Sequence, residues 1–318
     1  MKKCLITGCG GFIGSHLAEF FVEMGFSVYG IVYPDTKNIN HLGGRLNIYN
    51  CNIMDKEKVL SILEEVSPDY VFHLAAQSLP YVSWRDIENT FIINVVGTIH
   101  LLEGIRKIGL DPLIVIACSS DEYGYPIAND SLIKESDELC PSSPYGVSKL
   151  AEDMLSHIYW QAYGMKIIRI RPFTIVGPRK VSDVCSDFAS GIAEIENGES
   201  TILNVGNLDA IRDFVDIKDA VQAIWLLVEK GASGQVYNIC SGKGYRIKDI
   251  LNKLIALSSD YIVVHHDPSR MRPSDKPYLV GDNSKLRALG WEPTINIEDT
   301  LSNILSYCRE HAMINKHS

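Results

Sequence analysis

Tyr145 and Lys149 lie one helical turn apart in the run Tyr145-Gly146-Val147-Ser148-Lys149. At i and i+4 on a helix, a phenol and an ammonium share one face. The ammonium would favour the tyrosinate and lower a phenol pKa from about 10. A phenol tuned in this way can exchange a proton with a sugar hydroxyl while a nicotinamide exchanges the hydride. Taken alone, the same spacing also describes a half-exposed helix pair with no chemistry.

Near the N-terminus, Gly8-Cys9-Gly10-Gly11-Phe12-Ile13-Gly14 follows an apolar run and opens an amphipathic one. Glycines at 8, 11 and 14 fit a G-x-x-G-x-x-G spacing, which lets backbone turn tightly and brings pyrophosphate onto the amides of a helix N-terminus. The other reading is a structural glycine turn, and the strand–turn–helix setting favours the dinucleotide fingerprint. An acid about 20 residues beyond the glycines would mark NAD. Here the second strand ends Ile31-Val32-Tyr33-Pro34-Asp35, with neither acid nor base at its tip. Asp35 could reach a ribose from the next loop, and Lys37 or Arg45 could meet a 2′-phosphate, so NAD and NADP both stay open.

These groups need a scaffold. Short β-branched runs at 3–7, 27–32, 46–51, 70–74, 113–118 and 166–171 alternate with helical patterns at 13–24, 56–65, 89–108 and 145–163. Such alternation predicts an α/β fold, a doubly wound parallel (Rossmann) sheet whose ligands sit outside the carboxyl ends of its strands. After Arg171 the regularity fades among Pro172, Gly177-Pro178, Pro268, Pro273 and Pro277. The expected organisation is a dinucleotide-binding domain over 1–171 and a smaller C-terminal substrate-binding lobe over 172–318, some of whose elements return to the main sheet. Helical patterns at 217–230 and 247–258 flank a strand-like run at 235–240.

Composition narrows the function classes. With 318 residues and 46% hydrophobic content, the chain can bury a sizeable core. The stretch Met1 to Gly14 is too short for a signal peptide or a membrane span. Eight cysteines are scattered with no C-x-x-C pair, which indicates neither a zinc site nor a disulfide framework and fits a cytoplasmic protein. A formal net charge of −9 argues against nucleic-acid binding, so an anionic ligand must meet a local positive patch.

Together, Gly8/Gly11/Gly14, His73-Leu74-Ala75-Ala76-Gln77-Ser78, Ser119-Ser120-Asp121-Glu122-Tyr123-Gly124 and Tyr145-x-x-x-Lys149 resemble the extended short-chain dehydrogenase/reductases. Val205-Gly206-Asn207-Leu208-Asp209-Ala210-Ile211-Arg212-Asp213-Phe214 and Met271-Arg272-Pro273-Ser274-Asp275 look like the GDP-mannose 4,6-dehydratase and GDP-4-dehydro-6-deoxy-D-mannose reductase branch. By that resemblance, Ser119 hydrogen-bonds the reacting sugar oxygen, Tyr145 is the acid-base, and Lys149 is its electrostatic partner on the nicotinamide ribose. Gly8, Gly11, Phe12, Ile13 and Gly14 would hold the pyrophosphate, Leu74, Ala75 and Ala76 would line the cofactor, and Asn52 and Ile53 match the adenine contact. Asn94 matches a helix position behind the active site. A homodimer through the Asn89 and Tyr145 helices is a further family expectation.

On the substrate side the resemblance implies Ser78, Thr174, Asn207, Arg212 and Arg272. Arginine forks suit phosphate because they bind it bidentately and keep their charge, although either arginine could instead pair with Asp213, Asp216 or Asp275. Thr174 stands where relatives usually carry Asn, which leaves the shape of the sugar open. A reductase needs only Ser119, Tyr145, Lys149 and a reduced cofactor. A 4,6-dehydratase also needs a carboxylate after the catalytic Ser/Thr; here Asp121 takes the usual Glu position and Glu122 the usual hydrophobic one. That pattern resembles the reductase, which makes reduction of the 4-keto group of a GDP-4-dehydro-6-deoxy-hexose the expected activity. The alternatives are a 4,6-dehydratase, a 4-epimerase or C4 oxidoreductase on a related GDP-sugar, and a non-catalytic dinucleotide-binding sensor.

Overall fold

The computed structural model describes residues 1–124, 131–270 and 277–315. Strands β1 (Lys3–Thr7), β2 (Ser27–Val32), β3 (Asn47–Asn50), β4 (Tyr70–His73), β5 (Leu113–Ala117) and β6 (Ile167–Pro172) are followed by β7 (Thr174–Val176), β8 (Ile202–Val205), β9 (Ile211–Asp216), β10 (Val236–Ile239), β11 (Gly244–Arg246), β12 (Val263–His266) and β13 (Tyr278–Leu279). The longer helices are α1 (Phe12–Glu23), α2 (Lys56–Val66), α3 (Gly97–Ile108), α4 (Pro144–Tyr163), α5 (Val184–Glu196), α6 (Ile217–Lys230), α7 (Ile247–Ile255) and α8 (Ile297–Asn315).

The central sheet has seven strands in the order β10-β6-β5-β4-β1-β2-β3, and each neighbouring pair is parallel. Parallel sheets survive only when both faces are covered, and the strand sequences answer that need. Along β1, Cys4 and Ile6 join the cluster with Leu17 and Phe21 of α1 and Ile224 and Leu227 of α6. Leu5 points the other way, into the cluster of Leu63 from α2, Leu101 and Ile105 from α3, and Ile114 and Ile116 from β5. Each such fully buried aliphatic side chain stabilises the fold by about 1.5–3 kcal/mol.

The expected doubly wound sheet is present, and β10 shows how the later chain returns to it: Val236 to Ile239 pair with Arg169 to Pro172 of β6. Beyond it, β9 is flanked by β11 and β13 and also pairs with β7, while α5, α7 and α8 surround a separate cluster that includes Phe188, Ile250 and Leu301. Among the described residues, no helix is long and apolar enough to cross a membrane.

The pattern read as one helix over 89–108 is interrupted. It runs as an α-helical turn at Ile87–Phe91, a π-helical turn at Ile92–Val96 and then α3. A π turn adds one residue to a helix without breaking it, and here it rotates Asn94 into the protein, fully buried.

Candidate active site

The glycine-rich turn is built to be close-packed. Gly8 adopts φ +70°, and a Cβ there would stand 2.8 Å from the Ala75 backbone N; a Cβ on Gly14 would stand 2.2 Å from the Gly8 carbonyl oxygen. The turn is closed by the Gly11 N–H donating to the Gly8 carbonyl at 2.9 Å. Gly11 caps α1 with no side-chain acceptor, so a helix N-terminus without a side-chain cap stands at the glycine turn, the arrangement that suits a dinucleotide pyrophosphate. Phe12 and Ile13 are half-buried in that first turn, with the Lys180 ammonium 5.6 Å from the Phe12 ring centre.

A polar relay fixes the neighbouring end of β4. Thr7 Oγ1 accepts the N–H groups of Leu74 and Ala75, each at 3.1 Å, and lies 2.7 Å from His73 Nδ1. His73 Nε2 lies 2.9 Å from Thr98 Oγ1, whose proton goes to the Asn94 carbonyl. Those roles assign one consistent tautomer: Thr7 donates to Nδ1, and Nε2–H donates to Thr98. Burial, helped by the Lys149 charge, pushes His73 down to about 3, so the imidazole is neutral. Leu74, Ala75 and Ala76 are thereby held half-buried against the glycine turn.

Ser119 follows β5 by two residues and caps the short 3-10 turn Ser120–Tyr123. Its Oγ accepts the Asp121 N–H at 3.1 Å, and its own N–H donates to Glu122 Oε1 at 2.8 Å. Glu122 is buried, and its other oxygen meets Arg171 Nε at 3.1 Å. Arg171 also donates to Asp153 and to the Tyr123 hydroxyl. Glu122 is therefore a structural carboxylate that anchors the Ser119 turn, while Asp121 stays half-exposed beside Tyr145.

Tyr145 enters α4 in the first turn, after the Ser143 cap and Pro144. Its backbone N–H donates to Ser83 Oγ at 3.1 Å, and its phenol shares a hydrogen bond with Ser119. Lys149 Nζ donates to the Ala117 carbonyl and to Glu152 Oε2, both at 2.7 Å. The expected pull of Lys149 on the phenol is present in this structure but is outweighed. Burial pushes Tyr145 up to about 12; Lys149 and Ser119 pull it down, but Asp121 and Glu152 add to the rise. Behind the pair, Asn94 accepts the Gln77 N–H at 2.8 Å and donates to Ser148 Oγ at 2.9 Å, which ties the π turn to α4.

The fold thus gathers Gly8, Gly11, Gly14, Leu74, Ala75, Ala76, Ser119, Asp121, Tyr145 and Lys149 at the carboxyl ends of β1, β4 and β5, where a doubly wound sheet binds its ligands. Ser78 is exposed on the following segment. At the adenine-contact position, Asn52 Oδ1 accepts the Met54 N–H at 3.0 Å, and Ile53 is buried. On the far side, Thr174 opens β7 and pairs with Phe214 of β9, the strand that carries Arg212. Arg212 is half-buried and donates to the Ile211 carbonyl. Asn207 Oδ1 accepts the Asp209 N–H, and the adjacent Gly206 abuts the Arg270 carbonyl. Arg272 and its motif lie outside the described residues. Thr7, Thr98 and Glu152 went unread in the sequence, because their relevance comes from partners brought together by folding.

Comparison with known proteins bears on the family. Residues 5–304 match the family model described as GDP-mannose 4,6 dehydratase. GDP-6-deoxy-D-mannose reductase of Pseudomonas aeruginosa is 30% identical over 96% of both chains. GDP-mannose 4,6-dehydratase of Vibrio cholerae is also 30% identical, over 99% of this chain and 97% of its own. The solved structure of RMD from Pseudomonas aeruginosa complexed with NADPH superposes with a TM-score of 0.85 at 29% identity, covering 98% of this chain and 100% of that one.

Proposed function

The chain belongs to the GDP-mannose 4,6 dehydratase family, and from that premise we propose that this NAD(P)-dependent enzyme reduces the 4-keto group of a GDP-4-dehydro-6-deoxy-hexose. The observation that carries the choice of reduction is the fate of Glu122. A dehydratase must also remove a proton from the sugar's fifth carbon and protonate a leaving hydroxyl; its usual Glu position holds the shorter Asp121 here, and Glu122, the one Glu of the segment, is committed to the Ser119 N–H and Arg171 instead. Reduction requires only the phenol, the serine and the lysine.

The backbone cradle at Gly8–Gly14 and the end of β4 fit a dinucleotide, which when bound supplies the hydride for the sugar carbonyl. Ser119 holds the carbonyl oxygen, and Tyr145 donates the proton that the developing alkoxide needs. A phenol whose pKa is about 12 is protonated at neutral pH, the state a proton donor must occupy. Lys149, whose charge Glu152 and Tyr145 sustain despite burial, steadies the tyrosinate left behind. Thr174, Asn207, Arg212 and Arg272 are assigned to the sugar and the nucleotide diphosphate.

The 4,6-dehydratase is the second reading, favoured by the Asp121 carboxylate that still faces Tyr145. One assay separates the two. Purified protein given the 4-keto-6-deoxy derivative of GDP-mannose should oxidise NAD(P)H, whereas water loss from GDP-mannose without net cofactor change would overturn the reductase assignment. Gly14→Ala tests the cradle: its Cβ would clash with the Gly8 carbonyl, so dinucleotide affinity read by fluorescence titration should fall at least about tenfold, with stability lower by about 1–3 kcal/mol.

A homodimer belongs to the same reading. Val147, Met154 and Ile158 form an exposed apolar stripe along α4, and Trp84 and Ile87 are exposed just before the π turn. A cytoplasmic location belongs to the same reading.

A further inference from the structure

Lys149 is 3% exposed and Glu152 1% exposed, and the two meet at 2.7 Å within one turn of α4. The second bond from Lys149 goes to the Ala117 carbonyl at the end of β5. Both bonds draw the ammonium onto the helix flank and the strand, so the partner of Tyr145 already has a carboxylate of its own. The two charges act on the phenol in opposite senses: Lys149 favours its ionisation and Glu152 resists it.

The groups around Glu152 are few. Lys149 and Asp153 belong to the same helix, His73 Nε2 approaches Oε1 to 3.9 Å from β4, Thr98 faces it from α3, and the Cys118 thiol follows β5. His73 is neutral, burial pushes the Cys118 thiol well up, and Asp153 is bound by Arg169 and Arg171. Lys149 is therefore the cation directly paired with Glu152, and Tyr145 is the functional group that feels the balance.

We propose that Glu152 is a positioning residue that clamps the Lys149 ammonium and offsets its charge at Tyr145, keeping the phenol protonated. The inference rests on the reductase reading above for its consequence in turnover, but the electrostatic part stands on the Tyr145–Lys149–Glu152 geometry. Burial, opposed by Lys149, pushes Glu152 up to about 7. Above that pH the pair is neutral as a unit; below it the bare ammonium acts on the phenol.

Glu152→Gln keeps the size and removes the charge. In the oxidative direction, which needs tyrosinate, log kcat/KM of the wild type and of E152Q should run together below about pH 7 and part above it. The variant should be about tenfold faster at alkaline pH, the equivalent of about one unit in the phenol pKa. Glu152→Asp, which keeps a carboxylate, should restore the wild-type profile. Should E152Q fail to fold, Glu152→Met, an unbranched apolar replacement, takes its place.

A substrate-free readout separates this inference from the reductase assignment. In protein carrying [ζ-13C]tyrosine, with the Tyr145 signal assigned by Tyr145→Phe, the Tyr145 titration midpoint should fall by about one unit in E152Q. An unchanged or raised midpoint, or kinetic profiles merely displaced in parallel at every pH, would overturn the proposal. If neither protein turns over any nucleotide sugar, the functional reading fails and the NMR midpoint alone decides the role of Glu152.

Discussion

Tyr145→Phe is expected to cut turnover by about a thousandfold, the scale on which a positioned proton donor acts. The ring should still pack, because Tyr145 is only 9% exposed and the link to Ser83 runs through its backbone N–H. Thermal stability should stay close to wild type, and dinucleotide affinity within about threefold, so the loss should appear in kcat. The check is steady-state kinetics beside a dinucleotide titration on the same preparation. Intact turnover in the variant would remove the phenol from the mechanism.

The largest expected effect on stability comes from Arg171→Met. Arg171 is 2% exposed and serves Glu122, Asp153 and the Tyr123 hydroxyl together. Removing one partner from a buried charge network costs about 3–5 kcal/mol; here Glu122 loses its cation, while Asp153 keeps Arg169. The sign of the pH dependence follows from Glu122. Burial already pushes its carboxyl well up, and Arg171 pulls it down. Without Arg171, the folded variant binds a proton that the unfolded chain releases at its lower, ordinary carboxylate pKa. The folded variant is then most stable below that unfolded value and loses stability as pH rises through the folded one. Melting at pH 6 and at pH 8 should show a larger deficit at pH 8; an equal deficit at both would mean that Glu122 carries the same charge with and without Arg171.

Much of the scaffold was legible because hydrophobic period is a local property. The runs at 3–7, 27–32 and 217–230 coincide with β1, β2 and α6. The glycine spacing and the Tyr145–Lys149 interval also survive intact, since both are short-range features of one strand–turn–helix unit and one helix. What stayed hidden depends on distant partners. Glu122 looked like an acid in an apolar position because Arg171, 49 residues away, is what makes it tolerable there. The π turn leaves no mark in the sequence, as one extra residue barely disturbs an apolar stripe. The net state of the phenol was hidden for a related reason: spacing shows that Lys149 is near, but neither the burial of Tyr145 nor the hold of Glu152 on Lys149.

The return of β10 to the sheet has a consequence for how the polypeptide emerges during translation. Strand β6 gains its outer neighbour only when Val236–Ile239 has been synthesised, so a nascent chain halted after Pro172 displays a bare parallel edge ready to pair with another chain. A stop codon or protease cut in that interval should therefore yield an aggregating fragment rather than a free-standing cofactor-binding half.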